Sequence, residues 1–543
     1  MKYLLWFAQE HVDFRYPEMQ SLLSLFKIQM KWVEKPTQDT LYWIVELPSE
    51  ECARQLSSRS MSLRWCIELW GWHSTFPKDS EESLTNNACP RKIMEPYFTK
   101  DKSFKITVET FCKHFTLPEK VKKIETFVYL PMEGPIKLKD PDNELIYLEY
   151  YGSDPNNAPN DPHDLFFGRV ISEGQRQLIK KLSLKTRKFI GNTSMDAQLS
   201  VLMANQTQIR NGDTVIDPFV GSGSLLVASA EFGGFVWGSD IDYQMLHGKT
   251  RPTRVKQKER GRDESVRANM CQYKTQNHYL DVMVSDFSLP LWRDSMRFDA
   301  IITDRECLAN QLDQLLSTFL NWQLVKTYVW YMTMCYVILF LPAPYGIREA
   351  TEKIGIEREN YSLTPQQLLN HYPAKVEYGL SNIFSDLLSF SAKHLTLGRR
   401  LVCWFPLYRE DYTESNLPSH SCLKLVANSE QILSQYTSRR LLTYEKIKEP
   451  SIDDVEIKPL CNVITTQLGS EQKEVSPEKS AGTTSDFRER YFNSGDLTRK
   501  EKKEQRANDK ARGQIEKALR LKRKLNHSAP CCDTYNIDSS GPQ

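Results

Sequence analysis

The sequence predicts an α/β fold: a doubly wound parallel sheet in the second half of the chain, preceded by two smaller α+β units. Three observations predict it. Thr214-Val215-Ile216-Asp217-Pro218-Phe219-Val220-Gly221-Ser222-Gly223-Ser224 reads as strand, glycine turn and helix start, the opening unit of a nucleotide-binding sheet. Three later β-rich runs, ending at Asp240, Asp286 and Asp304, each finish in an acid. Before residue 180, β-like and helix-like stretches alternate, as in small α+β units.

At 543 residues the chain has room for two or three domains. Hydrophobic content of 40% and charged content of 26% are those of an ordinary globular protein. The formal net charge is only +2, so a nucleic-acid surface has to come from local clustering of cations. The 12 cysteines are scattered and form no C-x-x-C pair, so no metal site is indicated. The start, Met1 to Phe7, is too short and too soon polar for a signal peptide, which makes a reducing, cytoplasmic setting the expectation.

Residues 1–80 read as a ferredoxin-like unit. Residues 3–8 form a strand, Pro17 to Phe26 a helix, and Leu41 to Leu47 a second strand. Ser49-Glu50-Glu51 starts another helix with acids in its first turn, and Met61 to Trp72 is β-like. Residues 77–96 read as a linker with breakers at Asn86, Asn87 and Pro90. Residues 97–175 read as a second unit, with strands at Phe104–Phe111 and Leu145–Tyr150 and a helix over Glu119–Tyr129. Its lysines Lys122, Lys123, Lys137 and Lys139 suit phosphate contacts or a solvated face.

Residues 186–448 form the large α/β domain. Thr193 or Ser194 is placed to cap a helix over Met195–Ala204, just before the glycine turn. In that turn Gly221 and Gly223 permit positive φ and a close backbone approach to a ligand. Asp240 lies 23 positions after Asp217, where an acid holds a ribose diol; Asp242 is the second choice, and a helix N-cap is the competing role. Lys249 to Arg267 is too charged for a core and reads as a mobile or RNA-facing insertion. Asp304 ends the fourth strand, at the carboxyl edge where ligands bind in open α/β sheets. Asn382 to His394 is an amphipathic helix capped by Gly398, and Arg400 to Pro406 is the next strand. Leu423–Val426 and Thr437–Thr443 complete the sheet, with Arg439 and Arg440 read as an RNA contact or a solvated face. Residues 450–543 are polar and then basic, with twelve basic against four acidic residues from Arg499 to Lys524, and read as a largely disordered tail.

Asp217-Pro218-Phe219 before the glycines resembles the first motif of S-adenosylmethionine-dependent amino-methyltransferases. Lys137-Leu138-Lys139-Asp140-Pro141-Asp142 followed by an apolar strand resembles the end of a THUMP domain, an RNA-binding module. Residues 1–450 together resemble the eukaryotic tRNA (guanine-N2) methyltransferase catalytic subunits that act on guanosine at position ten. The resemblance implies a Rossmann-like class I methyltransferase domain behind ferredoxin-like and THUMP-like units. It implies S-adenosyl-L-methionine as cofactor, tRNA as substrate and a small zinc-binding activator subunit as partner. It also implies that the segment before the glycine turn covers the cofactor. Asp217, Phe219, Gly221, Gly223, Asp240 and Asp286 would bind the cofactor, Asp286 through the adenine amino group. Asp304, Pro344 and Tyr345 would be catalytic. A guanine 2-amino group is a poor nucleophile because its lone pair is delocalised into the ring. An acid and the backbone carbonyl after it accept its hydrogen bonds, prolines fix the turn, and a tyrosine stacks on the extruded base.

The resembled family ends its fourth strand Asp-Pro-Pro-Tyr-Gly-Ile-Arg-Glu-Ala-Thr. Here Asp304 is followed by 38 other residues, Arg305 to Pro342, before Ala343 and then Pro344 to Thr351 resume the motif. The run Tyr328–Pro342 is too apolar for a surface loop and shorter than the roughly 20 residues a bilayer span needs. A retained intron accounts for it; an isoform-specific insert is the alternative, and either predicts a catalytically impaired, tRNA- or cofactor-binding isoform as the second functional reading. Arg305-Glu306-Cys307 is codable as C|GT-GAG-TGT, a splice donor, and the run into Ala343 as a pyrimidine tract ending CAG|CC. Removal at those points joins Asp304 to a proline codon and then to Pro344. Sequencing the transcript and gene across both junctions is expected to find these bases; their absence rules the intron out.

Overall fold

The computed structural model describes residues 1–37, 40–73, 91–154, 158–191, 193–254, 257–289, 291–304, 352–355 and 374–451. The expected interruption at 305–342, the candidate residues Pro344 and Tyr345, most of the expected linker and the tail lie outside them.

The first sheet has seven strands: β1 (Lys2–Phe7), β2 (Lys31–Glu34), β3 (Tyr42–Glu46), β4 (Leu63–His73), β5 (Phe104–Phe111), β6 (Asn143–Tyr150) and β7 (Asp164–Glu173). Their spatial order is β2-β3-β1-β4-β7-β6-β5. All pairs are antiparallel except β5 with β6. The two N-terminal units expected from the sequence therefore share one continuous sheet. β4 of the first pairs along its length with β7 of the second, from Trp65↔Glu173 to His73↔Leu165. Sequence periodicity signals the strands, but it carries no information on which distant strand each one joins. β2, a short strand at the edge of this sheet, has too weak a pattern to be expected.

Local chemistry sets the helices of this half. Glu50–Ser57 begins at Ser49, whose hydroxyl accepts from Cys52 N, with Glu50 and Glu51 in the first turn. Leu117–Glu125 begins with Pro118 near its start, and the Glu119 carboxylate returns to the Thr116 N–H at 2.7 Å. The first helix, Val12–Phe26, starts earlier than Pro17, which lies inside it. Proline has no N–H to give the carbonyl four residues back. That carbonyl, on Asp13, instead accepts the Ser429 hydroxyl at 3.1 Å, so the proline helps seat the helix on the second sheet.

The second sheet contains β8 (Thr214–Asp217), β9 (Phe235–Asp240), β10 (Tyr279–Val284), β11 (Phe298–Thr303), β14 (Leu395–Tyr408), β15 (Leu423–Ile432) and β16 (Thr437–Lys446). Their order is β10-β9-β8-β11-β14-β16-β15. β10 through β14 run parallel, and β16 and β15 return antiparallel. Strand order reverses between β8 and β11, which puts the ligand-binding crevice at their carboxyl ends. A small pair, β12 (Glu352–Ile354) and β13 (Lys375–Glu377), lies apart from this sheet. Helices Ala197–Gln206, Ser224–Glu231 and Leu380–His394 supply covering apolar faces. Asp196, rather than Thr193 or Ser194, caps Ala197–Gln206, accepting from Gln198 N and Leu199 N. Gly398 does not cap the Leu380–His394 helix: the chain passes directly into β14, and Gly398 lies inside that strand at φ 76°.

The two sheets meet through buried polar contacts. Glu18, fully buried, accepts from Met61 N at 2.7 Å, Ser62 N at 2.9 Å, Ser60 Oγ at 3.1 Å and Asn205 Nδ2 at 2.7 Å. Arg400 of β14 donates to Ser21 Oγ at 3.0 Å and to Gln206 O at 3.1 Å. Phe14 lies against Trp404, with ring centroids 5.8 Å apart. Among the described residues no helix is long and apolar enough to cross a membrane. Glu18→Gln turns an amide NH2 toward groups that are themselves donors. It is expected to cost about 2–3 kcal/mol, an unsatisfied buried polar group's penalty, read as a lower denaturation midpoint; an unchanged midpoint contradicts this role.

Candidate functional site

Asp217, Asp240 and Asp304 end β8, β9 and β11 and converge on one cleft, also lined by Gly191, Ser194, Phe219 and Gly221. Parallel strands bring the three together: β8 lies between β9 and β11, in register Asp217↔Gly238 and Ile216↔Ile301. Asp217 and Asp304 are buried. One oxygen of Asp217, Oδ1, accepts from Phe219 N at 3.0 Å and from Thr303 Oγ1 at 2.9 Å. Asp240 accepts from Gly221 N at 2.8 Å and Asp242 N at 2.9 Å, tying the glycine turn to the end of β9.

Burial pushes Asp217 up to about 8, and the neighbouring charges of Asp240 and Asp304 add to the rise against its two hydrogen bonds. Burial likewise raises Asp304, with the Arg439 guanidinium opposing. Asp240 is raised by desolvation against its two backbone N–H bonds. A cleft walled by acids that resist ionising together is suited to a cationic ligand.

The glycines divide the work of the turn. Gly221 lies at φ 48°, and a Cβ there would meet nothing within 4 Å, so its α-carbon faces open space. Gly223 is the N-cap of Ser224–Glu231 at φ 80°, where a Cβ would come 2.7 Å from Val266 Cγ1. It starts the helix, between Ser222 and Ser224, which both line the cleft. Phe219 packs edge-on against Phe287, centroids 4.9 Å apart.

Two of the expected acids have further local partners. Asp242 lines the cleft too and is also the N-cap of Tyr243–Leu246, accepting from Gln244 N at 2.8 Å and Met245 N at 3.1 Å, the competing role for that pair. Asp286 is buried but does not line the cleft; its carboxylate accepts from Ser288 N at 2.9 Å and Ile354 N at 2.7 Å.

The segment before the glycine turn lines the cleft, with Ser194 Oγ 2.5 Å from Ser222 Oγ. The basic stretch after β9, expected to be mobile or RNA-facing, holds this segment in place. Arg254 donates to Lys188 O at 3.0 Å. Arg260 donates to Ile190 O at 3.3 Å and Thr250 O at 2.7 Å, pairs with Glu264 at 2.9 Å and lies over the Phe189 ring. Composition marks these arginines as surface charge, whereas backbone carbonyls of a neighbouring loop make them internal struts. Arg439 and Arg440 are also not a solvated face. Arg440 lies over the Tyr412 ring and faces Glu430 at 3.6 Å. Arg439 is 3% exposed and reaches Asp304. Thr303 and Arg439 are the site residues that sequence reasoning does not find as such. Thr303, next to the strand-end acid, is the one with a local signal.

Residues 1–176 match the family described as Tmrp11 THUMP N-terminal domain, and residues 185–289 match the RMKL-like methyltransferase domain. The chain is 45% identical over 448 residues to the tRNA (guanine(10)-N(2))-methyltransferase TRMT11 of Bos taurus, covering 82% of this chain and 88% of that protein. It is 42% identical over 509 residues to the protein of that name from Gallus gallus, covering 94% and 98%. It is 28% identical over 503 residues to the tRNA (guanine(10)-N(2))-methyltransferase of Saccharomyces cerevisiae, covering 91% and 99%.

The raised Asp217 fixes a pH dependence for the ligand-free protein. A folded value of about 8 against an ordinary 3.8 means the folded state holds the proton that the unfolded state releases. This stabilising contribution is full below pH ~4 and fades as pH climbs toward about 8. Asp217→Asn keeps an oxygen for both Phe219 N and Thr303 Oγ1 and removes the titration. Thermal midpoints between pH 6 and 8 are expected to fall less steeply in the variant than in the parent; parallel slopes contradict the assignment.

Proposed function

This chain belongs to the tRNA (guanine(10)-N(2))-methyltransferase family, and we propose that it transfers a methyl group from S-adenosyl-L-methionine to the exocyclic 2-amino group of guanosine at position ten of tRNA. The observation that carries this reading is the convergence of Asp217, Asp240 and Asp304 on a single cleft behind the Gly221 turn. The residues present fit such a cofactor. The open space at Gly221 admits a close backbone approach, and crowded acids favour a ligand bearing positive charge. When bound, the cofactor supplies an electrophilic methyl group on a sulfonium.

The chain's own part is binding, orientation and charge. Asp240 holds a ribose diol while its backbone bonds keep the glycine turn closed against β9. Asp217 fixes the Phe219 turn through the Phe219 N–H and would help to hold the cofactor in the cleft it lines. Gly223 serves by starting the helix behind the turn. A nucleobase amine at Asp286 would share its carboxylate with the Ile354 N–H. Asp304 accepts the hydrogen bond of the guanine amine, aligning its lone pair for in-line attack. Pro344 and Tyr345 are proposed, on the family motif, to shape the turn and stack on the base. The substrate tRNA is held in part by the N-terminal half, matched over residues 1–176 to a THUMP-containing family. A small zinc-binding activator subunit and a cytoplasmic setting rest on the family resemblance. The impaired-isoform alternative has no support from the relatives, whose names describe methyltransferases.

Methyl incorporation into unmodified tRNA, followed by mapping of the modified base, tests the proposal. Methylation of a guanine 2-amino group is expected. Asp304→Asn should lower kcat by about 10²–10³-fold, the cost of one electrostatic acceptor, with a smaller loss of cofactor affinity. Absence of incorporation by the parent chain, or an unaffected Asp304→Asn variant, refutes it.

A further inference from the structure

Asp304 is buried at the end of β11, and burial alone works against its ionised form. An ionised carboxylate is the stronger acceptor for an amine and has both oxygens to offer, whereas a protonated one turns one of them into a donor, so a nearby cation favours the accepting form. Among the described residues, Arg439, from β16, is a cation that reaches Asp304. Its Nη1 lies 3.8 Å from Asp304 Oδ2, and both side chains are almost wholly buried. The guanidinium is itself fixed from two sides. It lies 4.0 Å from the centre of the Trp404 ring, and its Nε donates to Gln431 Oε1 at 2.7 Å. Register explains the convergence: Arg439 pairs with Pro406 on β14, and Cys403 of the same strand pairs with Thr303, the residue before Asp304.

We propose that Arg439 is a positioning residue for methyl transfer: clamped by Trp404 and Gln431, it holds Asp304 as a charged, oriented acceptor for the guanine amine. The proposal deepens the functional reading above and rests on it. The clamp continues into the N-terminal half of the chain. Trp404 packs on Phe14, and Phe14 on His11, so the module that meets the tRNA also braces the arginine behind the acid.

Other charges face this pair. Asp217 on β8 interacts with Asp304 directly. Asp240 interacts with Asp217 and with Asp242 and Lys375. His11 interacts with Arg439, and it interacts as well with Asp196, Glu10 and Arg176. For Asp304 itself, burial opposes ionisation and Arg439 favours it, so removing Arg439 takes away a charge that works against burial.

The test is the pH profile of kcat/KM for tRNA methylation by the full chain. In Arg439→Met the acid limb is expected to move up by about one to three pH units, the usual influence of an adjacent opposite charge. Activity near pH 7 then falls about tenfold or more and recovers toward pH 9. Arg439→Lys retains charge and should keep the limb near that of the parent, with a modest loss of kcat. A pH-independent loss in Arg439→Met, or an unmoved limb, overturns the proposal. Should Arg439→Met fail to fold, Gln431→Leu carries the same readout: an upward limb supports the clamp and an unmoved one overturns it. A parent chain that methylates no tRNA refutes the functional reading itself, a result distinct from a parent that works and a variant that shows no shift.

Discussion

The constraint on which the catalytic half depends is electrostatic. Three carboxylates lie at adjacent strand ends around one cleft, and two of them are buried. Like charges in such a place disfavour one another and push protons on. The fold tolerates this because each acid has fixed partners: backbone N–H groups at Phe219, Gly221 and Asp242, the Thr303 hydroxyl, and the Arg439 guanidinium. The same hydrogen bonds that ease the strain also shape the glycine turn. Site geometry and charge are thus one arrangement, and a cationic ligand would favour the ionised form of these acids.

The N-terminal sheet is tied to this arrangement by contacts specific in geometry, not by apolar area alone. A carboxylate that accepts from Met61 N, Ser60 Oγ, Ser62 N and Asn205 Nδ2 fixes the helix Val12–Phe26 against Ala197–Gln206. Pro17 leaves the Asp13 carbonyl to Ser429 of β15. Both contacts resist sliding, because displaced donors would be left buried without acceptors. On the proposed reading, in which the N-terminal half helps to hold the tRNA, such rigidity matters, since misplacement on the ångström scale is costly to rate.

What is legible in the sequence is what is local. The strand-turn-helix at Asp217 to Ser224 depends on neighbouring residues, as do the strand-end acids Asp240 and Asp304 and the cap at Ser49. Long-range facts are not legible. The β4–β7 pairing joins residues about a hundred positions apart and merges two expected units into one sheet. Arg260 looks like surface charge until the carbonyls of Ile190 and Thr250 are brought to it. Arg439 looks the same until β16 is set against β14. In each arginine, a flexible side chain allows either role, and only tertiary contacts choose between them.

The place of Asp304 is fixed by chain on both sides of the Arg305–Pro342 segment. β11 precedes it and pairs with β8, while β14 follows it by sequence and pairs with β11 from Phe298↔Leu395 to Thr303↔Cys403. Arg439 comes later still. Among the described residues, the acid follows a strand held between β8 and β14, one on each side of that segment in the sequence. The segment's bearing falls instead on the Pro344 and Tyr345 part of the motif, which in this sequence is separated from the acid it would serve. On the proposed reading, the residue that accepts a hydrogen bond stands at the end of the sheet, and the residues assigned to the turn and the stacked base lie later in the sequence.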